Sequence, residues 1–175
     1  VYKRQLVQVL GQLRIIPDLV IIVVGALPLL IFFIKTYPKL KPVGFKEGED
    51  IYKAIESAVT EFDIKSAVFN MIGAVSRAVI GYFDMEKKDY IKKVIEKDLE
   101  LVSCMGNIAR KNDGTVIVHA HIALADEENK MFGGHLFPGT LAGATGELFI
   151  FPLQKTLIRD IDESTNLVLI KRQQT

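Results

Sequence analysis

The chain has 175 residues, of which 49% are apolar and 25% are charged, and its formal net charge is +1. This length is typical of one domain with an extension, and the apolar content allows a sizeable core. The charge is unevenly distributed, because residues 1–43 contain six Lys or Arg and one Asp, whereas residues 44–175 contain 16 Lys or Arg and 20 Asp or Glu. Affinity for nucleic acid depends mainly on positive charge, so this acidic body makes direct DNA binding by the chain doubtful.

The single cysteine, Cys104, excludes an intrachain disulfide and fits a reducing compartment such as the cytoplasm. At the start of the chain, residues 1–5 (VYKRQ) resemble the translated remnant of a sequencing adapter, and we interpret them as an artefact.

An uncharged apolar run follows, from Leu19 to Ile34. With the apolar residues just before it, the run approaches the ~20 residues that cross a bilayer as a helix. We therefore predict a single hydrophobic helix at residues 12–36, a candidate transmembrane helix that contacts a membrane through residues 15–34. The lysines after the run favour a cytoplasmic body, anchored to the inner membrane by this helix. A secretory signal or a buried segment are the alternatives.

The segment from Gln12 to Leu40 resembles the last transmembrane helix of the large subunit of haem-copper oxidases and nitric-oxide reductases. It carries none of the histidines that hold haem or copper in those enzymes, so it implies no oxidase activity. A chimeric reading frame, joined near residues 43–50, is therefore an alternative to a biological anchor. Residues 37–49 contain two prolines and several lysines, a poor composition for a strand, and are predicted to be a linker.

The body, residues 50–170, is predicted to be an α+β domain, with a mostly antiparallel β-sheet and one main helix. Asp50 is a suitable N-cap for a helix whose apolar residues recur at helical spacing through Phe62. Asn112-Asp113-Gly114 is a strong hairpin signal. Apolar runs predict strands on both sides of that hairpin, at residues 66–72, 74–83, 90–94, 99–108, 116–125 and 147–153, followed by two apolar pieces around a polar turn at residues 158–170.

All three histidines lie between residues 116 and 140. His119 and His121 are two apart in a predicted strand, so their side chains leave the same face. The polar residues 126–130 predict a hairpin loop. If the hairpin turns about Glu128, His121 lies opposite His135 and the three imidazoles share one face of an antiparallel pair.

Three imidazoles with open coordination positions suit zinc or another divalent first-row metal. Two acidic residues inside apolar strands, Glu100 and Glu147, are candidates for a fourth ligand or for an acceptor of an imidazole N–H. The alternative is that the histidines form hydrogen bonds within the sheet or across a subunit interface. Gly133 and Gly134 are better explained by tight turning or close backbone approach than by phosphate binding, because no helix or lysine of a phosphate loop follows them.

Four successive blocks resemble the plants-and-prokaryotes-conserved (PPC) domain: SAVFNMIGAVSRAVIGYFD, DLELVSCMGNIA, VHAHIALAD and GGHLFPGTLAGATGELFIFPL. The resemblance covers about residues 44–170, and its most distinctive part is the HxH strand followed by GGHL. It implies a compact α+β domain that associates as a homotrimer through its sheet. In plants such domains follow an AT-hook in nuclear DNA-associated proteins, but no AT-hook core occurs in these 175 residues.

Three functional hypotheses follow. The first is a PPC-like oligomeric binding or regulatory module, DNA-associated by family resemblance only. The second is a metal-dependent enzyme or small-molecule binder that uses the three histidines, although the sequence indicates no catalytic residue and favours a non-enzyme. The third is an interaction domain tethered to a membrane through the hydrophobic helix.

Overall fold

The computed structural model describes residues 40–171. The hydrophobic helix predicted at residues 12–36 and the adapter-like residues 1–5 lie outside this range. Within it, no helix is long and apolar enough to cross a membrane.

The predicted helix is confirmed as α1, Ile51–Glu61. It begins after Asp50, whose Oδ1 accepts hydrogen bonds from the backbone N–H groups of Tyr52 and Lys53 at 3.0 and 3.3 Å. These bonds satisfy donors that the first turn of a helix otherwise leaves unpaired. The buried face of the helix follows the predicted spacing and consists of Ile51, Ala54, Ile55, Ala58 and Val59.

Nine strands accompany this helix in the described part of the chain. In chain order they are β1 (Lys41–Gly44), β2 (Ala67–Asp84), β3 (Asp89–Ile95), β4 (Leu99–Arg110), β5 (Val116–Ala125), β6 (Met131–Leu136), β7 (Leu141–Pro152), β8 (Arg159–Ile161) and β9 (Val168–Ile170). The first seven form one antiparallel sheet, and β8 and β9 form a separate hairpin. The predicted fold class of this body, a mostly antiparallel sheet with one main helix, is confirmed.

Strand β2 organises the sheet because it is long enough to have two neighbours on each side. Its first part pairs with β4 and β7, and its last part pairs with β3 and β6. Since β6 also pairs with β5, the path β2-β4-β5-β6 returns to β2 and closes. The closure rests on two residue pairs, Ile80 with Leu136 and Gly81 with His135.

The structure differs from the sequence prediction in two details. The strands predicted at residues 66–72 and 74–83 are one strand, in which Gly73 adopts φ +142° at a β-bulge and not a turn. The predicted linker contains β1, which pairs with β7 at the edge of the sheet. Pro42 is tolerated there because an edge strand leaves one side of its backbone unpaired.

The core lies between α1 and one face of the sheet, and its strand residues alternate with residues of the opposite face. In β5 the core residues are Val118, Ala120, Ile122 and Leu124. His119 and His121 therefore project from the face that does not pack on the helix, which we call the outer face.

Candidate metal centre

The three histidines meet on the outer face, where β5 pairs with β6. His121 is paired with His135, as the hairpin about Glu128 predicts. One ring nitrogen from each of the three histidines lies within 4.8 Å of the others. The ring centroids are 5.0 to 5.4 Å apart. Two neighbouring strands thus hold three imidazoles in a group small enough to share one ion.

Gly133 and Gly134 allow β6 to approach its neighbours closely. A Cβ atom on Gly133 would collide with the carbonyl oxygen of Ile122, and one on Gly134 would lie 2.7 Å from the carbonyl oxygen of Gly81. Neither residue has a positive φ angle, so close approach and not tight turning explains both glycines. The glycines bring His135 against both β5 and β2.

The two half-buried histidines face different partners at Nδ1. The Tyr90 hydroxyl lies 3.3 Å from Nδ1 of His135, and the two rings are 4.7 Å apart. Nη2 of Arg159 lies 2.7 Å from Nδ1 of His119. Tyr90 can donate or accept a hydrogen bond, whereas an arginine only donates.

Arg159 reaches the histidines from β8 and is only 5% exposed. Its guanidinium donates from Nη1 to the carbonyl of Val168 at 2.6 Å and from Nη2 to Oδ1 of Asn107 at 3.2 Å. Its Nε is buried without a hydrogen-bond partner among residues 40–171. None of the ion pairs in this range includes Arg159.

Burial keeps the imidazoles of His119 and His135 neutral near pH 7. It lowers the pKa of His119 to about 4, with smaller contributions from the Arg159 cation and from His121. It also lowers the pKa of His135 to about 4, assisted by His119, His121, Arg159 and Lys92. Neutral imidazoles have the free lone pair that a metal requires.

The structure does not bring the two predicted carboxylates to the histidines. Glu100 is exposed and pairs with Ala125, four residues and about 13 Å along β5 from His121. Glu147 is exposed on β7, which is paired with β1 and β2 and not with either histidine strand. The group of ligand atoms found in residues 40–171 contains histidines only.

Three neighbours of the site were missed by reasoning from the sequence. Asn107 could have been found, since a hairpin about Asp113 places it opposite His119, as observed. Tyr90 and Arg159 arrive through the pairing of β3 with β2 and through the separate β8–β9 hairpin, and no local pattern indicates either contact.

The three histidines can hold a metal on one condition, which concerns the hydrogen bond between Arg159 and His119. Through Nδ1–H, His135 can donate to the Tyr90 oxygen and leave Nε2 free for a metal, as metal-bound histidines commonly do. His119 cannot do the same while Arg159 donates to its Nδ1, because that bond assigns the ring proton to Nε2. A metal bound by either nitrogen of a neutral His119 therefore requires that this hydrogen bond be broken.

Comparison with known proteins identifies the family. The model of the Plants and Prokaryotes Conserved (PCC) domain matches residues 39–154, which is more than half of the chain. The chain belongs to the PCC domain family. The match includes all three histidines and the strands that carry them.

Solved structures support this membership. A metal-containing protein from Archaeoglobus fulgidus is 35% identical, with a TM-score of 0.71 and an alignment covering 78% of this chain and 95% of that one. A plant- and prokaryote-conserved (PPC) protein from Pyrococcus horikoshii is 30% identical, with a TM-score of 0.72 and coverage of 79% and 95%. A protein provisionally named as DNA-binding, from Ralstonia eutropha JMP134, is 25% identical, with a TM-score of 0.69 and coverage of 75% and 90%.

The chain also resembles part of a much longer curated protein. The bifunctional protein GlmU of Synechococcus sp. (strain JA-3-3Ab) is 27% identical over 113 residues, which cover 64% of this chain. The chain spans only 17% of the length of that relative.

Proposed function

We propose that this PCC domain is a binding module that holds one divalent first-row metal ion, with zinc as the first candidate, on His119, His121 and His135. The observation that carries the proposal is the group of three imidazole nitrogens within 4.8 Å on two paired strands. Three protein ligands would leave a coordination position open, as in zinc sites that bind water or a ligand.

Two further observations support the metal site. The lowered pKa values of His119 and His135 mean that protons do not compete for these nitrogens near neutral pH. The Archaeoglobus fulgidus protein, which is 35% identical, is named as a metal-containing protein. When bound, the metal would supply a Lewis-acidic position for a ligand. The chain's own contribution is to orient the imidazoles, through Tyr90 at His135, and to exclude water from the half-buried pair.

The test is elemental analysis of the full chain, purified without chelators or a His-tag, beside a His135→Ala variant. Glu128→Ala is the matched control, because Glu128 is a potential ligand in the loop of the same hairpin but lies outside the histidine group. We expect near-stoichiometric zinc, iron, manganese or nickel in the wild type and the control and a loss in His135→Ala. A folded wild type without metal, or equal metal in all three proteins, would refute the site.

We also propose that copies of the chain associate through the outer face. The resemblance to the PPC domain implies that this assembly is a trimer. Next to the histidines this face is apolar and exposed: Met105, opposite His121 on β4, is 65% exposed, and Ile72 on β2 is 52% exposed. Val68 and Phe151 extend the surface, at 45% and 43%. Exposed apolar areas of this kind commonly mark interfaces between proteins.

Sedimentation or light scattering of Met105→Glu tests this second proposal. We expect a smaller assembly than the wild type, because a buried charge without a partner opposes association. Ile91→Glu is the control, since Ile91 is 50% exposed on β3 and outside this surface. A monomeric wild type, or an equal effect of the two substitutions, would contradict the proposal.

The DNA-associated role remains a family expectation. The Ralstonia eutropha relative supports it by its provisional name, but residues 40–171 contain 16 Lys or Arg against 20 Asp or Glu. A regulatory role through partners therefore fits this chain better than direct contact with the phosphates of DNA. The membrane-tethered alternative depends on residues outside the described range and stays a prediction.

A further inference from the structure

We infer that the site binds a small oxyanion, a carboxylate or a phosphate group, held jointly by the metal and by Arg159. This inference rests on the proposed metal site and adds the chemical class of its ligand. It is carried by the position of Arg159, whose guanidinium touches the histidine group and has no anionic partner in the described structure.

The charges around the histidines favour an anionic ligand. Arg159 is 95% buried, and none of the carboxylates in residues 40–171 forms an ion pair with it. Lys92 adds a second cation nearby, with its Nζ 4.2 Å from the Phe137 ring centroid, and that ring packs 4.8 Å from the ring of His135. A divalent ion bound by the histidines would add two more positive charges. Charges buried without partners are costly, and an anion would offset this cost.

The hydrogen bonds of Arg159 also favour an oxyanion. Metal binding by a neutral His119 requires the bond from Arg159 to Nδ1 to break. The Nη2 atom would then keep only its 3.2 Å contact with Asn107, while Nε has no partner in the described range. Buried donors without acceptors are destabilising. An oxyanion in contact with both the metal and the guanidinium would supply these acceptors.

Access and shape also favour an oxyanion. Within a single chain His121 is the exposed member of the histidine group, so a ligand can approach from its side. A carboxylate or phosphate can bind a metal through one oxygen and accept from the guanidinium through another, since arginine is suited to two-point recognition of such groups. Thiocyanate can bind the metal through its nitrogen, but its other end is sulfur, a weak hydrogen-bond acceptor, so it lacks the second oxygen that the guanidinium would bind.

The experiment uses the full chain loaded with cobalt(II), whose visible absorption reports its ligands. Cobalt content is measured first; then inorganic phosphate, acetate and thiocyanate are titrated into the wild type, Arg159→Gln and the control Arg110→Gln. Arg110 is an arginine on β4 that donates hydrogen bonds to the carbonyls of Ile64 and Gly114, away from the histidines.

We expect Arg159→Gln to weaken phosphate or acetate binding about 10- to 100-fold, the range of a lost charge-assisted hydrogen bond. Thiocyanate affinity should change by less than about twofold, and Arg110→Gln should resemble the wild type.

The outcomes separate the two proposals. Failure of the wild type to take up cobalt would refute the metal site and this inference together. Cobalt uptake with equal oxyanion affinity in the wild type and Arg159→Gln, or with an equal loss for thiocyanate, would overturn this inference alone. Tighter binding of phosphate than acetate assigns a phosphate ligand, and the reverse assigns a carboxylate. If Arg159→Gln does not fold, Arg159→Lys is judged by the same criterion, because lysine keeps the charge but loses the two-point geometry.

Discussion

At the residue scale, the site is governed by the atoms that face the ring nitrogens. The Tyr90 hydroxyl can form a hydrogen bond with Nδ1 of His135 whether or not that nitrogen carries a proton. Arg159 can donate to Nδ1 of His119 only when that nitrogen carries no proton. His119 and His135 are similarly buried and their pKa values are similarly lowered, but their hydrogen bonds leave their ring nitrogens in different states for metal binding. In the proposed metal site, His135 would bind the metal as it stands, whereas His119 would first have to exchange its hydrogen-bond partner.

Tyr90→Phe tests the role of the hydroxyl. Without an acceptor for Nδ1–H, the ring of His135 is less well fixed in the tautomer that leaves Nε2 free, and we expect metal affinity to fall about 10-fold or more. Stoichiometry at saturating metal should stay the same. Competition with a metal-sensitive dye measures the affinity, and Tyr82→Phe, a 71% exposed tyrosine on β2, is the control. Unchanged affinity in Tyr90→Phe would show that the hydroxyl does not position the ring.

The lowered pKa values predict how the metal-free protein responds to acid. Between pH 6.5 and about 4, unfolded histidines bind protons that folded His119 and His135 do not, so the free energy of unfolding falls as the pH falls through this window. Because other groups also titrate there, the informative quantity is the difference between wild type and His119→Gln, whose amide oxygen can still accept from Arg159. We expect a shallower dependence of Tm on pH in the variant after chelation. Parallel curves would contradict this account.

At the element scale, the strand pairings that the sequence predicts are those made by hairpins. The turn about Glu128 fixed the register of His121 with His135, and the signal at Asn112–Gly114 placed β4 beside β5. Pairings between strands that are distant in the sequence could not be predicted in this way. The closure of β6 on β2, and the approach of Arg159 from β8, depend on tertiary packing that leaves no periodic signal in the chain.

Gly133→Ala tests the close approach of β6 to β5. The added Cβ would collide with the carbonyl oxygen of Ile122, a backbone atom that cannot move independently, so we expect a loss of about 1–3 kcal/mol or more in the free energy of unfolding. Gly44→Ala is the matched control, because Gly44 is also a strand glycine and the nearest atom to its added Cβ is 4.0 Å away. Urea denaturation of both variants measures the difference. Equal stability would show that the strands separate at little cost.

Asp50 links α1 to the turn before β7. Its Oδ1 caps the helix, and its Oδ2 accepts from the backbone N–H of Gly139 at 2.9 Å. Asp50→Ala removes both functions and should cost about 1–2 kcal/mol or more, the range for loss of an N-cap. Asp50→Asn keeps a capping oxygen but places a donor toward Gly139, and should fall between alanine and wild type in urea denaturation. If asparagine and alanine cost the same, the bond to Gly139 carries most of the effect.

At the scale of the whole molecule, the histidines stand where the sheet closes. The path β2-β4-β5-β6 returns to β2 through two residue pairs, and one of them joins Gly81 to His135 itself. A metal that ties His135 to the two histidines of β5 would therefore hold β6 in place, and with it the closure. The edge strand β1 pairs with β7, and β7 pairs with residues 67–77 of β2, whereas β6 pairs with Ile80 and Gly81, so the β1–β7 pairing does not depend on this closure.

Metal removal should accordingly loosen the molecule in one region before it lowers overall stability. A ligand that binds only the folded state stabilises it by about 2.7 kcal/mol at 100 times its dissociation constant, so chelation should lower Tm. Amide hydrogen exchange should then rise most in β6 and in the part of β2 near Gly81, because their shared hydrogen bonds are few. Exchange in α1 and in the β1–β7 pair should change only with global stability. A uniform increase across the sheet, with no excess in β6, would show that the closure does not depend on the metal.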